Sequence, residues 1–533
     1  MISLKKKGTG RNALVKVTIR GRSTTTVLAR RGDVLLDVLR KAGAVVFAPC
    51  GGKGICKKCR VEIAEEGAPF ACKHLLRRDV EVVLPTHGRA RIVESARGKP
   101  RAVEPCTGID ATCTRGRITV SYKGRRICTF QGKPRDAQDR FGLAIDIGTT
   151  TVVVYLEDLA SGSTVGTKSF VNPQTAYGYD VIARIQYTVE HRRGLRVLRG
   201  SLLSGINEAV RHLRKETGVG HGAIYTAAIA GNPTMLHIFL GKDPFPISHA
   251  PYTPVFTIAH DTTGKACGLR MNPRGVVRVL PSVSGYIGAD VTAGIASTPM
   301  TDSKKFSLYL DIGTNGEMAV GNREVLYCCS TAAGPAFEGA ALECGIGGIE
   351  GAICSFADGR YATIGNCPPA GICGSGIVDC VAWLLAKGII DRSGYMETNY
   401  VLEKSERTAA GRDIVITPSD VRKIQLAKAA TRAGIRILLK GAGIKIDAIG
   451  TLYLAGAFGT FMNVKSAASI GMIPLELQNR VVSIGNAAGT GARLALRSVV
   501  FEDSVRKIAA MARYLELSGR EDFSEEYISS MGF

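Results

Sequence analysis

One pattern occurs twice in the chain and constrains its fold more than any other feature. Residues 141–156 read FGLAIDIGTTTVVVYL and residues 306–321 read FSLYLDIGTNGEMAVG, so both contain F-x-L-x-x-D-I-G-T. The two copies start 165 residues apart, and a repeat of that length predicts two similar halves. Each copy is an apolar, strand-like run that ends in an aspartate and a glycine turn. We therefore predict a duplicated α/β core.

The residues that follow each aspartate predict a phosphate-binding loop. Glycine lets the chain turn tightly, so that backbone N–H groups can line a phosphate. A carboxylate at the end of a strand can hold Mg²⁺ through water. Asp146 and Asp311 are these carboxylates, and Glu317 is a candidate base or Mg²⁺ partner. The predicted phosphate-binding positions are Gly148, Thr149, Thr150, Thr151, Gly313, Thr314, Asn315 and Gly316.

A third element lies downstream, where TLYLAGAFGT runs from an apolar strand into small residues. Such a turn lets an adenosine lie against the backbone. Its candidate positions are Gly456, Ala457, Phe458 and Gly459. Each of the three elements alone could be an ordinary turn, but together they indicate a nucleotide site. Two Gly/Ala-rich helices, at residues 286–297 and 485–496, are predicted to cross between the halves.

Four cysteines near the N-terminus have the spacing of a cluster-binding loop. Cys50, Cys56, Cys59 and Cys72 follow C-x5-C-x2-C-x12-C. Three thiolates on one short loop with a fourth nearby is the usual arrangement for a [2Fe-2S] cluster, and glycines within the loop let it wrap tightly. A zinc site would favour two C-x2-C pairs, and only one is present. The spacing therefore favours [2Fe-2S] over zinc or plain thiols.

The sequence around these cysteines predicts a small β-rich domain. VKVTIR and TTTVLAR read as a strand pair, DVLLDVLRKAGA as an amphipathic helix, and CRVEIA and DVEVVLP as later strands. This order resembles the β-grasp of plant- and adrenodoxin-type ferredoxins. The 12 residues between Cys59 and Cys72 are fewer than such ferredoxins usually have. We therefore expect one side of the cluster to be exposed.

Positive charge is concentrated at the same end of the chain. Residues 1–140 carry a net charge of +19, and the whole chain carries +23. No zinc-finger, KH or RNP signature accompanies this charge, and aromatic residues are scarce, so we expect no nucleic-acid partner. Docking to an acidic protein through complementary potentials is the favoured interpretation. An ordinary solvated basic face is the remaining alternative.

Composition and the other cysteines set the broad class. The chain has 533 residues, 45% of them apolar, which predicts a globular protein of several domains. No apolar run reaches membrane-spanning length and no apolar leader follows the basic start, so we expect a cytoplasmic protein without a membrane partner. The 15 cysteines then predict metal or cluster ligation where they are closely spaced. Cys106, Cys113 and Cys128 are too far apart and are predicted to be buried thiols.

The nucleotide elements together resemble the phosphate-1, phosphate-2 and adenosine motifs of the ASKHA superfamily, which includes sugar kinases, Hsp70-type chaperones and actin. Four further segments resemble the reductive activators of corrinoid proteins, which join a [2Fe-2S] domain to an ASKHA domain. These segments are NPQTAYGYDVIARI, AGNPTMLHIFLG, TAAGPAFEGA and AGICGSGIVD. The predicted fold class is α/β multidomain, with an N-terminal β-grasp ferredoxin-like domain before a duplicated RNase H-like core.

The resemblance implies an ATP-dependent enzyme that returns an inactive Co(II) corrinoid protein to Co(I). Its implied cofactors are [2Fe-2S], ATP and Mg²⁺, and its implied partners are a corrinoid client and a reduced, acidic ferredoxin or similar donor. A homodimer is possible. An activator of a different low-potential metalloenzyme and a non-redox kinase or chaperone-like ATPase remain alternatives. The sequence does not identify the client or the electron donor. It also does not show whether ATP binding or ATP hydrolysis drives the electron transfer.

The predicted domains follow from these motifs. Residues 1–90 form the ferredoxin-like domain, 91–139 a linker and small middle region, and 140–533 the ATPase. The ATPase divides into halves of about 140–300 and 301–533.

Overall fold

The structure of the protein, a computed structural model, describes residues 13–20, 24–42, 44, 46, 48, 52–54, 59–84, 101–334, 336–339 and 342–533. The chain divides into two compact units. The first comprises Met1–Gly88 and Pro173–Gly194, and the second comprises Arg89–Asn172 and Leu195–Phe533. Within the described residues, we find no helix with both the length and the apolar character needed to span a bilayer.

The first unit is built on a four-stranded mixed sheet. Its elements are β1 (Leu14–Arg20), β2 (Thr24–Arg30), α1 (Leu35–Lys41), β3 (Glu62–Ile63), β4 (Val80–Val83) and, from the second segment, α2 (Val181–Glu190). The strand order is β2-β1-β4-β3, and β1 runs parallel to β4. Alternate residues of β1 and one face of α1 enter a common core. This is the predicted β-grasp, with a helix shorter than its apolar pattern suggested.

A small antiparallel sheet opens the described part of the second unit. It consists of β5 (Ile109–Thr114), β6 (Arg117–Tyr122) and β7 (Arg125–Gln131). Arg115 and Lys123 each have positive φ beside a glycine, as two-residue hairpin turns require. The segment predicted as a linker thus carries a regular meander. Our expectation of buried thiols here was wrong for Cys106, which is exposed, and incomplete for Cys113 and Cys128, which are half-buried.

The first half of the core contains a six-stranded sheet with the order β10-β9-β8-β11-β13-β12. Its strands are β8 (Phe141–Ile147), β9 (Thr151–Asp158), β10 (Ser163–Val171), β11 (Ile224–Gly231), β12 (His260–Thr263) and β13 (Val276–Val279). Its helices are α3 (Gly194–Thr217), α4 (Pro233–Leu240), α5 (Gly264–Cys267) and α6 (Ala289–Ala296).

The second half contains a sheet with the order β23-β22-β14-β15-β16-β24 and two small sheets, β18-β17-β19 and β20-β21. The strands are β14 (Phe306–Ile312), β15 (Gly316–Gly321), β16 (Leu326–Thr331), β17 (Ala352–Ala357), β18 (Arg360–Thr363), β19 (Gly371–Ile372), β20 (Tyr400–Glu403), β21 (Ile414–Ile416), β22 (Ile449–Ala455), β23 (Val481–Gly485) and β24 (Ala512–Tyr514). The helices are α7 (Gly374–Ala386), α8 (Pro418–Ala442), α9 (Gly456–Phe461), α10 (Val464–Ser469), α11 (Ala487–Arg497), α12 (Val499–Met511) and α13 (Glu521–Ser529).

The two large sheets repeat one topology, which confirms the predicted duplication. In the first half β8 is antiparallel to β9 and parallel to β11. In the second half β14 is antiparallel to β15 and parallel to β22. The motif strands β8 and β14 therefore occupy equivalent central places. Their aspartates lie near the carboxyl ends of these strands, where open α/β sheets bind ligands.

The two Gly/Ala-rich segments form α6 and α11, as predicted, and these helices pack against each other. A Cβ on Gly491 would lie 2.2 Å from the carbonyl oxygen of Ala293, and a Cβ on Gly294 would lie 2.2 Å from the Tyr309 hydroxyl. Glycine is therefore required at both positions for the observed approach of the helices to each other and to β14.

Candidate redox and nucleotide sites

Two of the four predicted cluster ligands lie together in the first unit. Cys59 is 1% exposed, and its Sγ lies 3.2 Å from the Sγ of Cys72. That separation exceeds the ~2.05 Å of a disulfide and lets one metal ion contact both sulfurs. Cys50 and Cys56 lie outside the described residues. Among the described side chains no set of three forms a ready metal site, so the four-ligand set stays a prediction.

The segment between Cys50 and Cys56 has glycine at two positions where the backbone requires it. Gly52 and Gly54 have φ values of 101° and 77°, a region that side chains with a Cβ avoid. A Cβ on Gly54 would lie 2.7 Å from Cε of Lys73. The tight wrapping that we predicted for the loop is confirmed at these two positions.

A cleft of about 630 Å³ is lined in part by Lys73, the residue that follows Cys72 in the chain, and we refer to it as the basic cleft. Its charged or titratable lining residues are Arg31, Glu66, Lys73, His74, Arg77 and Arg78. Arg78 donates to Glu66 at 2.9 Å, and Glu66 is the one acidic residue among the described lining residues. The cleft therefore has a net positive charge close to a predicted cluster ligand.

In the first phosphate loop, a hairpin holds the predicted hydroxyl side chains at the end of β8. The Gly148 N–H donates to the Thr151 carbonyl at 2.9 Å, and a Cβ on Gly148 would lie 2.6 Å from that oxygen. The Asn232 amide donates to Thr149 Oγ1 at 2.9 Å. Thr150 Oγ1 is buried without a hydrogen-bond partner among the described residues. Its geometry suits a donor to a bound phosphate.

In the second phosphate loop, the hairpin between β14 and β15 has the same form. The Gly313 N–H donates to the Asn315 carbonyl at 2.8 Å. The Thr314 hydroxyl donates to Glu338 Oε2 at 2.6 Å, so this predicted phosphate ligand already has an acidic partner. Glu317 lies opposite Asp311 in the register of the two strands, which brings the two predicted acidic residues together.

Four acidic side chains of the second unit interact with one another: Asp146, Asp290, Asp311 and Glu317. Burial raises the pKa of Asp146 to about 7, and the charge of Asp290 adds to the effect. Burial together with Asp290 and Asp146 raises the pKa of Asp311 to about 7. Burial raises the pKa of Asp290 to about 6 and that of Glu317 well above its usual range. A divalent cation would relieve this repulsion.

Asn486, the N-cap of α11, orients the first aspartate. Its amide donates to Asp146 Oδ2 at 2.9 Å and lies 3.2 Å from the Tyr155 hydroxyl. Its side-chain oxygen accepts from the Gly489 N–H at 2.6 Å. The amide is therefore fixed at both ends and presents a donor to the carboxylate.

The third predicted element lies beside the second phosphate loop. Gly456 follows β22 with φ of 78°, and a Cβ there would lie 2.6 Å from Asp311 Oδ1. The Phe458 ring stacks on Phe337 at 5.1 Å between centroids. Gly456 is thus placed against the carboxylate. Ala457 and Gly459 lie in the same first turns of α9. An adenosine-binding role for this turn stays a prediction.

Several site residues were missing from the motif-based prediction. They are Asn172, Asn232, Asp290, Glu338 and Asn486. Each lies within a segment singled out for another reason, either its resemblance to the corrinoid activators or its small residues. Their polar side chains could have indicated a site, because an Asn or acidic residue within an otherwise small or apolar segment is often there to bind a ligand or to orient another side chain.

This donor set fits Mg²⁺ and a polyphosphate. Mg²⁺ is usually held by one or two carboxylates and several waters, and Asp146 and Asp311 at the two phosphate loops can supply such carboxylates. The two thiols at 3.2 Å suit a thiolate-bound metal in the first unit. Fold and site together define an ASKHA-type ATPase joined to a ferredoxin-like module.

Known proteins resemble the chain over nearly its whole length. The family model described as the C-terminal domain of RACo, the ASKHA domain, matches residues 305–533, and the model of the RACo middle region matches residues 141–303. Corrinoid activation enzyme RamQ of Eubacterium limosum is 33% identical over 94% of this chain and 96% of that protein. The chain belongs to the family of reductive activators of corrinoid proteins.

Two further relatives agree with this assignment. The Co(II) methylated-amine-specific corrinoid protein reductase of Methanosarcina barkeri is 24% identical over 74% of this chain and 77% of its own length. The solved structure of a reductive activator for a corrinoid iron–sulfur protein matches with a TM-score of 0.73 and 32% identity. That match covers 97% of this chain and 98% of the other.

Proposed function

We propose that the protein is an ATP-dependent reductive activator that returns a Co(II) corrinoid protein to Co(I). One observation carries the proposal: a single chain holds a close cysteine pair, with Cys59 buried and Cys72 half-buried, in a β-grasp unit, and a half-buried carboxylate cluster beside two phosphate loops. A kinase or chaperone-like ATPase would need only the second of these. The family relationship then favours a corrinoid client over another metalloenzyme.

We assign cluster binding to Cys50, Cys56, Cys59 and Cys72. A [2Fe-2S] cluster held there would supply one-electron chemistry, and plant-type clusters have potentials near about −400 mV. Buried Cys59 would keep water from one side of the site, and the Gly52 and Gly54 turns let the backbone approach closely.

We assign the nucleotide site to the two phosphate loops. Asp146 and Asp311 would hold Mg²⁺ and orient the attacking water, with Glu317 as a further acidic partner. Thr149, Thr150 and Asn315 would bind phosphate oxygens, because positioning and charge neutralisation dominate phosphoryl transfer. Nucleotide that binds one conformation better than another can then drive an unfavourable electron transfer.

The experiment that tests this function mixes the iron-loaded protein with a Co(II) corrinoid protein, Mg²⁺-ATP and a strong reductant under anaerobic conditions. We expect the Co(II) absorption to be replaced by that of Co(I), and we expect this change to require both ATP and the iron-loaded protein. Nucleotide turnover without cobalt reduction, across a panel of corrinoid proteins, would favour the alternative of a different metalloenzyme client.

The basic cleft is the surface where we propose that an acidic electron donor docks. Exposed charges steer association less strongly as salt rises, since the Debye length is ~8 Å at 0.15 M. We expect cluster reduction by an acidic ferredoxin to slow several-fold between low salt and ~0.5 M salt. Stopped-flow absorbance measures the rate.

A double charge reversal locates this surface. Lys73→Glu with Arg77→Glu should slow reduction by the ferredoxin at low salt, whereas reduction by methyl viologen, a small cation, should not slow. Arg117→Glu, an exposed substitution on β6 of the second unit, is the matched control. If ferredoxin reduces the double variant as fast as it reduces the Arg117→Glu control, the donor binds elsewhere.

The raised carboxyl pKa values predict a pH dependence of nucleotide binding. The pKa values of Asp146 and Asp311 are about 7 in the folded protein and 3.8 in an unfolded chain. Between these two pH values the metal-free folded protein therefore keeps protons on both carboxyl groups that the unfolded chain has released. Its stability should therefore fall as pH rises from 3.8 to about 7, and Mg²⁺ must displace these protons when it binds below pH 7.

Each pH unit below the pKa costs about 1.4 kcal/mol per displaced proton. Calorimetry should show Mg²⁺-ADP binding at least ~10-fold more weakly at pH 6 than at pH 8. ADP with EDTA is the control, and its affinity should change less. Equal Mg²⁺-ADP affinity at the two pH values would contradict the assignment of these carboxylates to the metal.

A further inference from the structure

The Arg40 side chain is a buried cation with an incomplete set of partners. It lies in the last turn of α1, and its side chain is 9% exposed. Among the described residues its one ion pair is with Asp37, a 58% exposed carboxylate 3.4 Å from Nη1. Nε and Nη2 are buried without a hydrogen-bond partner within the described part of the chain. A buried cation with such weak compensation is costly.

The guanidinium faces the predicted cluster loop. A Cβ on Gly52 would lie 3.6 Å from Nη1 and 3.8 Å from Nη2 of Arg40. Gly52 stands in sequence between Cys50 and Cys56, two of the predicted ligands. The guanidinium, including the unpartnered Nη2, therefore lies beside Gly52, a described residue of the loop that would surround the cluster.

Two tyrosines from a distant part of the sequence cover Arg40. The guanidinium lies 5.9 Å from the Tyr177 ring centroid, and the Tyr177 and Tyr187 rings are 5.1 Å apart. Both rings belong to Pro173–Gly194, which is part of the first unit. Aromatic faces attract a cation and exclude water from it, so the segment holds the charge in place.

An anion close to the Arg40 guanidinium would compensate its buried positive charge. A [2Fe-2S] cluster with four thiolates is anionic, and reduction makes it more negative by one charge. A fixed cation nearby stabilises the reduced form, because net charge and solvent exposure set the potential of such clusters. Resting on the function proposed above, we propose that Arg40 is a positioning residue that raises the reduction potential of the cluster.

The residue that precedes this covering segment in the chain, Asn172, is bonded to the first phosphate loop. Asn172, the residue before Pro173, donates from its side-chain amide to the Gly148 carbonyl at 2.9 Å. Its backbone N–H donates to the Thr150 carbonyl at 2.8 Å. Tyr177 is five residues further along the chain. Because Asn172 is held by the first phosphate loop and leads directly into this segment, we infer that nucleotide bound in that loop alters the packing of Tyr177 on Arg40 and, through it, the cluster potential.

Redox titration of the full-length protein, monitored by electron paramagnetic resonance, tests the first part without any client. At a fixed applied potential the ratio of reduced to oxidised cluster should be about tenfold lower in Arg40→Gln than in wild type, a shift of ~59 mV to more negative potential. Arg40→Lys keeps the charge and should restore most of the difference. Arg30→Gln, an exposed substitution on β2, should leave the potential unchanged.

The same titration with and without Mg²⁺-ADP tests the second part. Wild type should show a nucleotide-dependent potential, and Tyr177→Leu should lose that dependence. Without nucleotide, Tyr177→Leu should also have a more negative potential than wild type, because water would screen the Arg40 charge; this comparison tests the first part if Arg40→Gln fails to load iron. An unchanged potential in Arg40→Gln, or a nucleotide-independent wild type, would overturn the corresponding part. A wild type that never holds a cluster would instead overturn the proposed function.

Discussion

Replacing Asp311 by asparagine is expected to lower ATP turnover at least ~100-fold, the usual scale for removing one group that stabilises transition-state charge. Asp311 lies at the end of a central strand, opposite Glu317 and against Gly456. Asparagine fills the same space but lacks the charge that would hold Mg²⁺ near the phosphates. Steady-state phosphate release with saturating Mg²⁺-ATP measures the loss.

Two features make this variant informative. The visible spectrum of the first unit should be unchanged, because Asp311 belongs to the second unit. Asp358→Asn is the matched control, since Asp358 is an exposed carboxylate at a turn in the same unit. Its turnover should equal that of wild type. Normal turnover in Asp311→Asn would refute the assignment of the second phosphate loop.

Replacing Cys59 by alanine is expected to remove the redox site and to leave the ATPase intact. Wild type purified without oxygen should be red-brown with about two irons per chain, as a [2Fe-2S] protein requires. Cys59 is 1% exposed, and its sulfur lies beside that of Cys72, so alanine removes a central ligand. Iron analysis and the visible spectrum should both show loss of the cluster, and Co(II) reduction should stop.

Cys106→Ala separates ligand loss from general thiol loss. Cys106 is exposed and lies in the second unit, so its removal should change neither iron content nor colour. A colourless wild-type protein containing zinc would contradict the redox interpretation altogether. The two variants, Asp311→Asn and Cys59→Ala, should each stop corrinoid reduction, for different and separately measurable reasons.

Local sequence was sufficient to predict the elements that carry their own chemistry. The aspartate–glycine turns after β8 and β14 were found because strand, carboxylate and turn are consecutive in the chain. The crossing helices were found because glycine and alanine at their contacts leave a compositional trace, as at Gly491. The duplicated sheet followed from the spacing of the two motifs.

Contacts between distant segments could not be predicted in this way. Asn486 reaches Asp146 across 340 positions of sequence, and no local pattern encodes that pairing. Asp290 joins the acidic cluster because it lies in the first turn of α6, a helix that packs against α11 and β11. The meander β5–β7 was missed because its basic composition hid short strands, although its turn glycines were visible.

The first unit has a consequence for how the protein is made. Met1–Gly88 leaves the ribosome roughly a hundred residues before Pro173–Gly194 is complete. At typical synthesis rates this interval is about 5–20 s. The nascent sheet can fold during that time, but Arg40 has not yet received its tyrosines. Iron loaded during synthesis would therefore meet a solvent-exposed guanidinium, and the final environment of the metal would form only when the later segment arrives.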